Sequence, residues 1–407
     1  MIPFDSLASP QRRAFGLVKE VAAEKNLRPY LVGGPVRDLL LGRSVIDLDF
    51  TLEEGSSELA RSIAKRINGR VRSYPQFLTY KVTADEFPEI DIASARSEKY
   101  RAPGALPTVS AGRLQDDLLR RDFSINAIAL DVLSEELHDP ANGKQDLDAK
   151  QIRVLHDQSF VDDPTRIDRA IRLATRLGFT IEPHTRELMD NAIATGAMRT
   201  ASKERLWREL FLAFEEESAP AVIEALNAAG ALEVLFGPRT VERSRLETAQ
   251  QIAKSDPSLD RDVLFTSAIL HGNASPVDLE GSGFSQRRAR TIMQIANELS
   301  RYADGLAEAE TERQRFRLLK HASPELLAVM AANGPSEAVA RFQGYQNFRL
   351  ALRGTDLELP AGPHIAKALE RTREAVFVGE ITAEEARSFA QRIAIKYLNR
   401  EHVSESK

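Results

Sequence analysis

A change of texture near residue 150 constrains this chain more than any other feature. Up to that point short runs rich in β-branched and aromatic residues, such as YLVGG, DLDFTL, FLTYKVTA, EIDIAS and INAIALDVL, alternate with helical patterns and turn signals. Beyond it strand signals nearly vanish. Ile167, Ala170, Ile171, Ala174 and Leu177 then fall at i, i+3, i+4, i+7 and i+10, the spacing of one helix face. Glycine or proline at 178, 183, 220, 230, 238, 257, 272 and 276 cuts the remainder into many short helices. The expected fold class is α+β: a small mixed β-sheet with helices in the N-terminal part, followed by an all-α remainder.

With 407 residues, 43% of them hydrophobic, the chain can bury a sizeable core, and its length suggests about two or three domains. The absence of cysteine excludes disulfides, thiolate metal sites and a cysteine nucleophile. The opening MIPFDSLASPQRR lacks the apolar core of a signal peptide, and no run of about 18 apolar residues could span a bilayer. A soluble, cytoplasmic protein that makes no use of the membrane is expected. A net charge of −5 argues against indiscriminate coating of nucleic acid, although that sum would hide a local basic surface. No internal repeat or low-complexity segment is visible. The longest irregular stretch, RSEKYRAPGALPTVSAGRLQD from Arg96 to Asp116, reads as a loop of the size that tends to be functional within a compact domain.

The segment LVGGPVRDLLLGRSVIDLDF, residues 31–50, concentrates chemistry. Pro29 to Val32 reads as a short strand, Gly33 and Gly34 as a turn, and Val36 to Leu41 as a helix entered through Pro35. Glycines let a backbone approach a ligand, N–H groups at a helix start attract phosphate, and Arg37 adds a charged fork one turn in. The same pair of glycines also makes a plain turn. Asp47 and Asp49 alternate with Ile46, Leu48 and Phe50, which in a strand puts both carboxylates on one face and the three apolar side chains on the other. Paired carboxylates repel unless a cation sits between them, and oxygen ligands shared with substrate phosphates suit Mg²⁺. A solvated strand face is the plainer reading of Asp-x-Asp. With a phosphate-binding turn ten to fourteen residues upstream, the pattern describes metal-assisted attack on a nucleoside triphosphate, with two ions expected. Asp91, on a later expected strand, is either a further carboxylate of that site or a strand-edge charge.

In LLRRDFSINAIAL, residues 118–130, Arg120 and Arg121 supply guanidinium groups for triphosphate oxygens. Asp122 can pin one of them, and Asn126 offers an amide to ribose hydroxyl and phosphate. Out of context RRD is a common surface sequence. Here it follows the long loop and precedes a buried strand, which suggests a cleft.

Residues 31–51 resemble the signature of the class II tRNA nucleotidyltransferases, the CCA-adding enzymes and their bacterial poly(A) polymerase relatives in the DNA polymerase β superfamily. The match continues in order through RRDFSINAIAL, DPANGKQDL at 139–147, DDPTRIDRAIRLATRLGF at 162–179 and SKERLWREL at 202–210. The remainder resembles the family only through helical texture and a closing GEITAEEARSFA. The resemblance implies a nucleotidyltransferase head over 1–150, a helical, nucleotide-selecting neck over 151–215, and a helical body and tail that bind tRNA over 216–407. It also implies that Gly33, Gly34 and Arg37 hold the triphosphate, that Asp47 and Asp49 bind Mg²⁺, and that Arg121 contacts the nucleotide. Asp163, Arg166, Arg169 and Arg172 would line the nucleotide pocket.

There are departures from the family pattern. Asp162 stands where Glu is common, and Phe77-Leu78-Thr79 stands where Phe-Gly-Thr is common, which would alter the strand's approach to the site. The chain has GRVRSYPQF instead of the basic GRRF-like stretch of bacterial poly(A) polymerases, which favours tRNA over general polyadenylation. The expected reaction is template-independent addition of C and/or A from CTP and ATP to the 3′ end of the tRNA acceptor arm, releasing pyrophosphate. Relatives that add only A or only CC, and poly(A) polymerase, are the nearest alternatives. An RNA-binding protein on an inactive transferase scaffold is disfavoured because Asp47 and Asp49 are intact. Transfer to a small acceptor such as an antibiotic is disfavoured by the long helical half.

Base choice also follows from donor and acceptor order. Asp163 and Arg166, three apart on a helix, would place an acceptor beside a donor fork. Cytosine and adenine present an amino donor next to a ring-nitrogen acceptor, whereas uracil and guanine reverse the order, so buried unpaired groups would reject them. A surface ion pair is the plainer reading. For RNA, residues 281–320 carry eight Lys or Arg against five acidic residues, a local excess that could track phosphates; a solvated mixed-charge helix is the alternative. No histidine after residue 200 is followed by Asp, so nothing signals an appended phosphohydrolase.

Overall fold

The computed structural model describes Phe4 and residues 7–85, 87–334 and 336–405. The chain divides into two compact units, Met1–Val241 with Glu280–Gly283, and Glu242–Leu279 with Phe284–Lys407.

The first unit is built on a mixed sheet whose order is β3-β4-β5-β2-β1-β8-β9. Its strands are β1 (Tyr30–Val32), β2 (Leu48–Leu52), β3 (Arg70–Tyr74), β4 (Thr79–Ala84), β5 (Phe87–Ser94), β8 (Ala129–Asp131) and β9 (Leu137–His138). β2 and β5 run parallel, and the other pairings are antiparallel. Helices α1 (Ser9–Lys25) and α3 (Ser56–Arg66) pack on one face. Leu48, Phe50 and Leu52 of β2 and Ile90 and Ile92 of β5 are fully buried, and the Phe15 ring of α1 lies 6.2 Å from that of Phe50. Strand alternation therefore aims Asp49 and Asp91 at the opposite face. The short helix α2 (Gly34–Leu40) follows β1 through Gly33, as the Gly-Gly-Pro sequence implies.

Residues 96–111 form an ordered ribbon and not an irregular loop: β6 (Arg96–Lys99) pairs antiparallel with β7 (Thr108–Ala111). RSEK carries no apolar residue, and the alternating Val109 and Ala111 of TVSA are not buried, so neither strand covers a core. The ladder itself and a bond between Ser97 and Ser110 Oγ at 2.9 Å hold them together. After the ribbon come α4 (Leu114–Leu119) and α5 (Gly143–Asp148). Beyond residue 150 only two strands of two residues each remain among the described residues, β10 (Gln151–Ile152) and β11 (Thr180–Ile181), as the loss of strand signal predicts. The unit continues through α6 (Ser159–Asp162), α7 (Thr165–Leu177), α8 (Pro183–Ala194), α9 (Lys203–Glu215), α10 (Ala219–Ala228) and α11 (Glu233–Phe236). Gly178, in the left-handed conformation, ends α7.

The second unit is helical: α12 (Arg243–Ser255), α13 (Arg261–Ile269), α14 (Gln286–Glu308), α15 (Glu312–Leu319), α16 (Pro324–Asn333), α17 (Ser336–Asn347), α18 (Pro363–Phe377) and α19 (Ala386–Glu405). Among the described residues no helix is long and apolar enough to cross a membrane.

Candidate active site

β2 begins at Leu48, one residue after Asp47, because its partner strand β5 meets it only from Leu48 onward. The expectation that Ile46 lies on the buried face is therefore incorrect: Ile46 is 75% exposed, and Asp47 is an exposed residue at the mouth of the strand. Asp49 is directed into a cleft of about 370 Å³ lined by Gly34, Glu98, Tyr100, Arg120, Arg121, Asp122, Asn126, Asp163, Arg166 and Arg169.

Asp49 lies in register with Asp91 on β5. Burial first, then the charge of Asp91, pushes Asp49 up to about 6, with Arg121 opposing. Asp91 sits on an interior strand and not at an edge. One of its oxygens faces Lys81 at 3.6 Å, while its Oδ1 is buried with no hydrogen-bond partner. These are the marks of carboxylates crowded together with too little positive charge, and a divalent cation would relieve them. Among the described residues no group of three or more acidic, histidine or cysteine side chains could hold an ion by itself. A cation at Asp47 and Asp49 would therefore complete its shell with water and substrate oxygens, which is the coordination habit of Mg²⁺.

Gly33 adopts φ +76°, a conformation that favours glycine, and Arg121 Nη1 lies 2.5 Å from where a Cβ would stand. Arg37 is 4% exposed and does not line the cleft. It grips Asp38 with Nε and Nη2, and its Nη1 donates to Asn126 Oδ1 at 2.7 Å. The Asn126 amide in turn donates to Asp122 Oδ1 at 2.9 Å.

Asp122 was expected to pin one of its neighbouring arginines, but it pins Arg169 of α7 instead, at 2.6 and 3.0 Å. Burial would raise the Asp122 carboxyl, but Arg169 and the Asn126 hydrogen bond hold it well below the usual range. Both Arg120 and Arg121 are held by Asp117 of α4, a fully buried carboxylate that the sequence reading missed, and Arg120 also binds Glu98 at 2.8 Å. Glu98 and Tyr100 come from the ribbon, whose unpatterned sequence gave no signal that it lines a cleft. The four-residue spacing of Asp117 and Arg121 was the one available clue to the α4 carboxylate.

Asp163 is not on a helix. It precedes Pro164 and is extended at φ −136° and ψ 91°, since a residue before proline avoids the helical region. Even so its side chain and that of Arg166, in the first turn of α7, line the same cleft. Arg166 is 5% exposed and held by Ser159 Oγ at 2.6 Å and the Arg120 carbonyl at 2.9 Å. The arginine row divides: Arg166 and Arg169 face the cleft, whereas Arg172 turns to Glu209 and Glu216 at 3.2 and 3.0 Å.

In the second unit four of the eight basic residues of the expected stretch are held in ion pairs. Arg288 pairs with Asp260 and Asp262, Arg301 with Glu298, Arg313 with Glu374 and Glu380, and Lys320 with Glu370. Arg287 and Arg290 are exposed on α14.

The first unit thus sets Asp49 and Asp91 on one face of a mixed sheet, beside a glycine turn and an arginine-lined cleft to which α7 contributes Arg166 and Arg169. Residues 29–153 match the poly A polymerase head domain, and residues 178–242 match the probable RNA and SrmB-binding site of polymerase A. The chain is 34% identical over 290 residues to an A-adding tRNA nucleotidyltransferase of Halalkalibacterium halodurans, across 69% of this chain and 68% of that protein. It is 31% identical over 406 residues to an A-adding tRNA nucleotidyltransferase of Geobacter sulfurreducens, across 93% of this chain but only 46% of that protein, so the chain spans about half the length of that relative. A solved CCA-adding enzyme, in apo form II, superposes with a TM-score of 0.78 at 26% identity, covering 95% of each chain. The chain belongs to the class II tRNA nucleotidyltransferase family.

Proposed function

We propose that this protein is a template-independent tRNA nucleotidyltransferase that adds C and/or A from CTP and ATP to the 3′ end of the tRNA acceptor arm, releasing pyrophosphate. The observation that carries the reading is the cleft that Asp49 shares with Asp163 and four arginines, Arg120, Arg121, Arg166 and Arg169. Residues 1–150 serve as the catalytic head, 151–215 as the nucleotide-selecting neck, and 216–407 as the tRNA-binding body and tail. Asp47 and Asp49 hold Mg²⁺ together with triphosphate oxygens. Bound there, the metal would supply Lewis-acid activation of the RNA 3′ hydroxyl and charge neutralisation of the leaving pyrophosphate. The Gly33–Gly34 turn, braced by Arg37, receives the triphosphate, with Arg120 and Arg121 along its flank. Asp122 and Asn126 hold Arg169 and the ribose end of the site, and Arg172 supports the row from behind. Asp163 and Arg166 read the base edge. The cytoplasm is the compartment this substrate implies.

Addition of the final A alone is a narrower reading, favoured by the names of both relatives. Offering tRNA ending at the discriminator base, at C or at CC, with CTP, ATP or both, decides between them. Incorporation that requires Mg²⁺ and stops after A supports the proposal. Absence of metal-dependent incorporation with every tRNA end and either nucleotide would overturn it.

A further inference from the structure

Asp163 is not free to turn. Its Oδ1 accepts from Arg205 Nη2 at 2.6 Å, from Thr165 Oγ1 at 2.6 Å and from the Thr165 N–H at 3.1 Å. A carboxylate oxygen offers about two good lone-pair directions, so Oδ1 is saturated and Oδ2 is the oxygen left for a ligand. The guanidinium of Arg205, on α9, has a second anchorage: its Nη1 donates to the Gly104 carbonyl at 2.8 Å, in the turn of the β6–β7 ribbon. That carbonyl is itself fixed. The Gly104 N–H donates to the carbonyls of Val161 and Asp162, each at 3.2 Å. Gly104 has φ +69°, and a Cβ on it would stand 2.3 Å from Thr200 Oγ1 and 2.6 Å from the Thr200 backbone. A planar, rigid fork that must satisfy two fixed acceptors has little freedom, and it passes its orientation to the carboxylate.

We propose that Arg205 is a specificity-positioning residue: braced on the Gly104 carbonyl and occupying Oδ1 of Asp163, it presents Oδ2 alone, as a charged acceptor, to the amino group of the incoming base. The proposal rests on the reading of Asp163 as the residue that selects the base. Arg205 does not touch the nucleotide in this scheme. It acts by removing a way in which Asp163 would accept the wrong base: an unbraced carboxyl rotates about its broad terminal torsion and lets water bridge to a carbonyl of uracil or guanine.

The test uses the full-length chain with Arg205→Gln, Arg205→Lys and Gly104→Ala, and Asp163→Ala alongside. For each, incorporation of ATP on tRNA ending in CC and of CTP on tRNA lacking the CCA end is measured against GTP and UTP, with thermal melting as the control for folding. Gln removes the charge and the fork. Lys keeps the charge but cannot reach both acceptors, and Ala at 104 moves the ribbon turn off Thr200 and so loosens the brace without touching Arg205. The ratio of accepted to rejected nucleotide should fall about tenfold or more in Arg205→Gln, the worth of one charge-assisted hydrogen bond, and by less in the other two. A purely structural role would lower all nucleotides together and leave the ratio unchanged. Wild-type ratios in folded Arg205→Gln and Gly104→Ala, with discrimination lost in Asp163→Ala, would overturn the role of Arg205 alone. A wild-type ratio in Asp163→Ala would overturn the base reading on which it rests.

Discussion

Asp49 on β2 stands in register with Asp91 on the neighbouring parallel strand β5, so two carboxylates share one face of the sheet. Burial and that neighbour push Asp49 up to about 6, above its ordinary value of 3.8. Between these values the folded chain binds more protons than the unfolded one, so stability from this group is present at low pH and is lost as pH rises through the window. Asp49→Asn should therefore stabilise the metal-free protein at pH 7 by about 1–2 kcal/mol and change it little below about pH 4. Urea unfolding in chelator at both pH values measures this, while incorporation by the variant should be abolished. A destabilisation of equal size at both pH values would contradict the like-charge account.

The helical half, the glycine turn and the carboxylate strand were legible because each has a local signature: periodicity, glycine before proline, alternation. The ribbon was not, since its four-residue strands cover no core, RSEK has no apolar residue and TVSA offers only Val109 and Ala111, and Glu98 and Tyr100 went unseen with it. Asp117 and Arg205 were hidden for another reason. Arg205 acts through contacts set by tertiary packing, and in RLQDDLLRRD the four-residue spacing of Asp117 and Arg121 is shared by Asp116 and Arg120, so it does not single out the aspartate that pins the arginines. The same blindness exchanged the partner of Asp122, which reaches across 47 residues to Arg169.

Leu78 takes φ +53°, the left-handed region that a glycine would occupy without cost. The turn after Phe77 is thus retained despite the missing glycine, and its carbonyl still accepts from Ser94 at 2.9 Å. Left-handed backbone costs a branched residue about 1–2 kcal/mol, partly offset in Gly by greater unfolded-state entropy. Leu78→Gly should stabilise the protein by about 0.5–1 kcal/mol with incorporation preserved, as read from denaturant midpoints. Destabilisation would mean that the Leu78 side chain contributes more than its strain.

Asp122 is 8% exposed and receives Arg169, the Asn126 amide and the Phe123 N–H. Asp122→Ala leaves these donors unpaired and should cost about 2–4 kcal/mol, discounted because Arg169 is partly exposed. The carboxyl is held low, so its stabilisation is present above the ordinary aspartate range and is lost on acidification below it. The gap between wild type and variant should accordingly narrow as pH falls below about 4. A gap that is constant with pH would refute the ionic account.

In the second unit, Arg313 is tied to Glu374 and Glu380, whereas Arg287 and Arg290 are exposed. If α14 tracks tRNA phosphates, Arg287→Glu with Arg290→Glu should weaken tRNA binding several-fold at low salt and flatten its salt dependence by about two contacts. Arg313→Ala should act on stability and leave the salt slope unchanged. Binding titrations across a salt series separate the two, and an unaltered slope in the double variant would remove α14 from the RNA surface.

The base-reading pair gives the most specific expectation, because it depends on the order of donor and acceptor and not on charge alone. If Asp163 and Arg166 read the base as proposed, Asp163→Ala removes the acceptor for the exocyclic amino group of cytosine or adenine, together with the charge that repels the carbonyl of uracil and guanine. The loss of a hydrogen bond at a buried partner costs roughly 1–3 kcal/mol, so use of CTP and ATP should fall by about one to two orders of magnitude. Discrimination against UTP and GTP should weaken with it. Arg166 differs in that its Nη groups already serve Ser159 and the Arg120 carbonyl. Arg166→Ala should therefore damage both accepted nucleotides and also lower stability. Ser159→Ala, which lies outside the cleft and removes one anchor, should raise the KM for both nucleotides without altering their ratio to UTP. Full activity with full rejection of UTP in Asp163→Ala would assign base selection to some other group in the cleft.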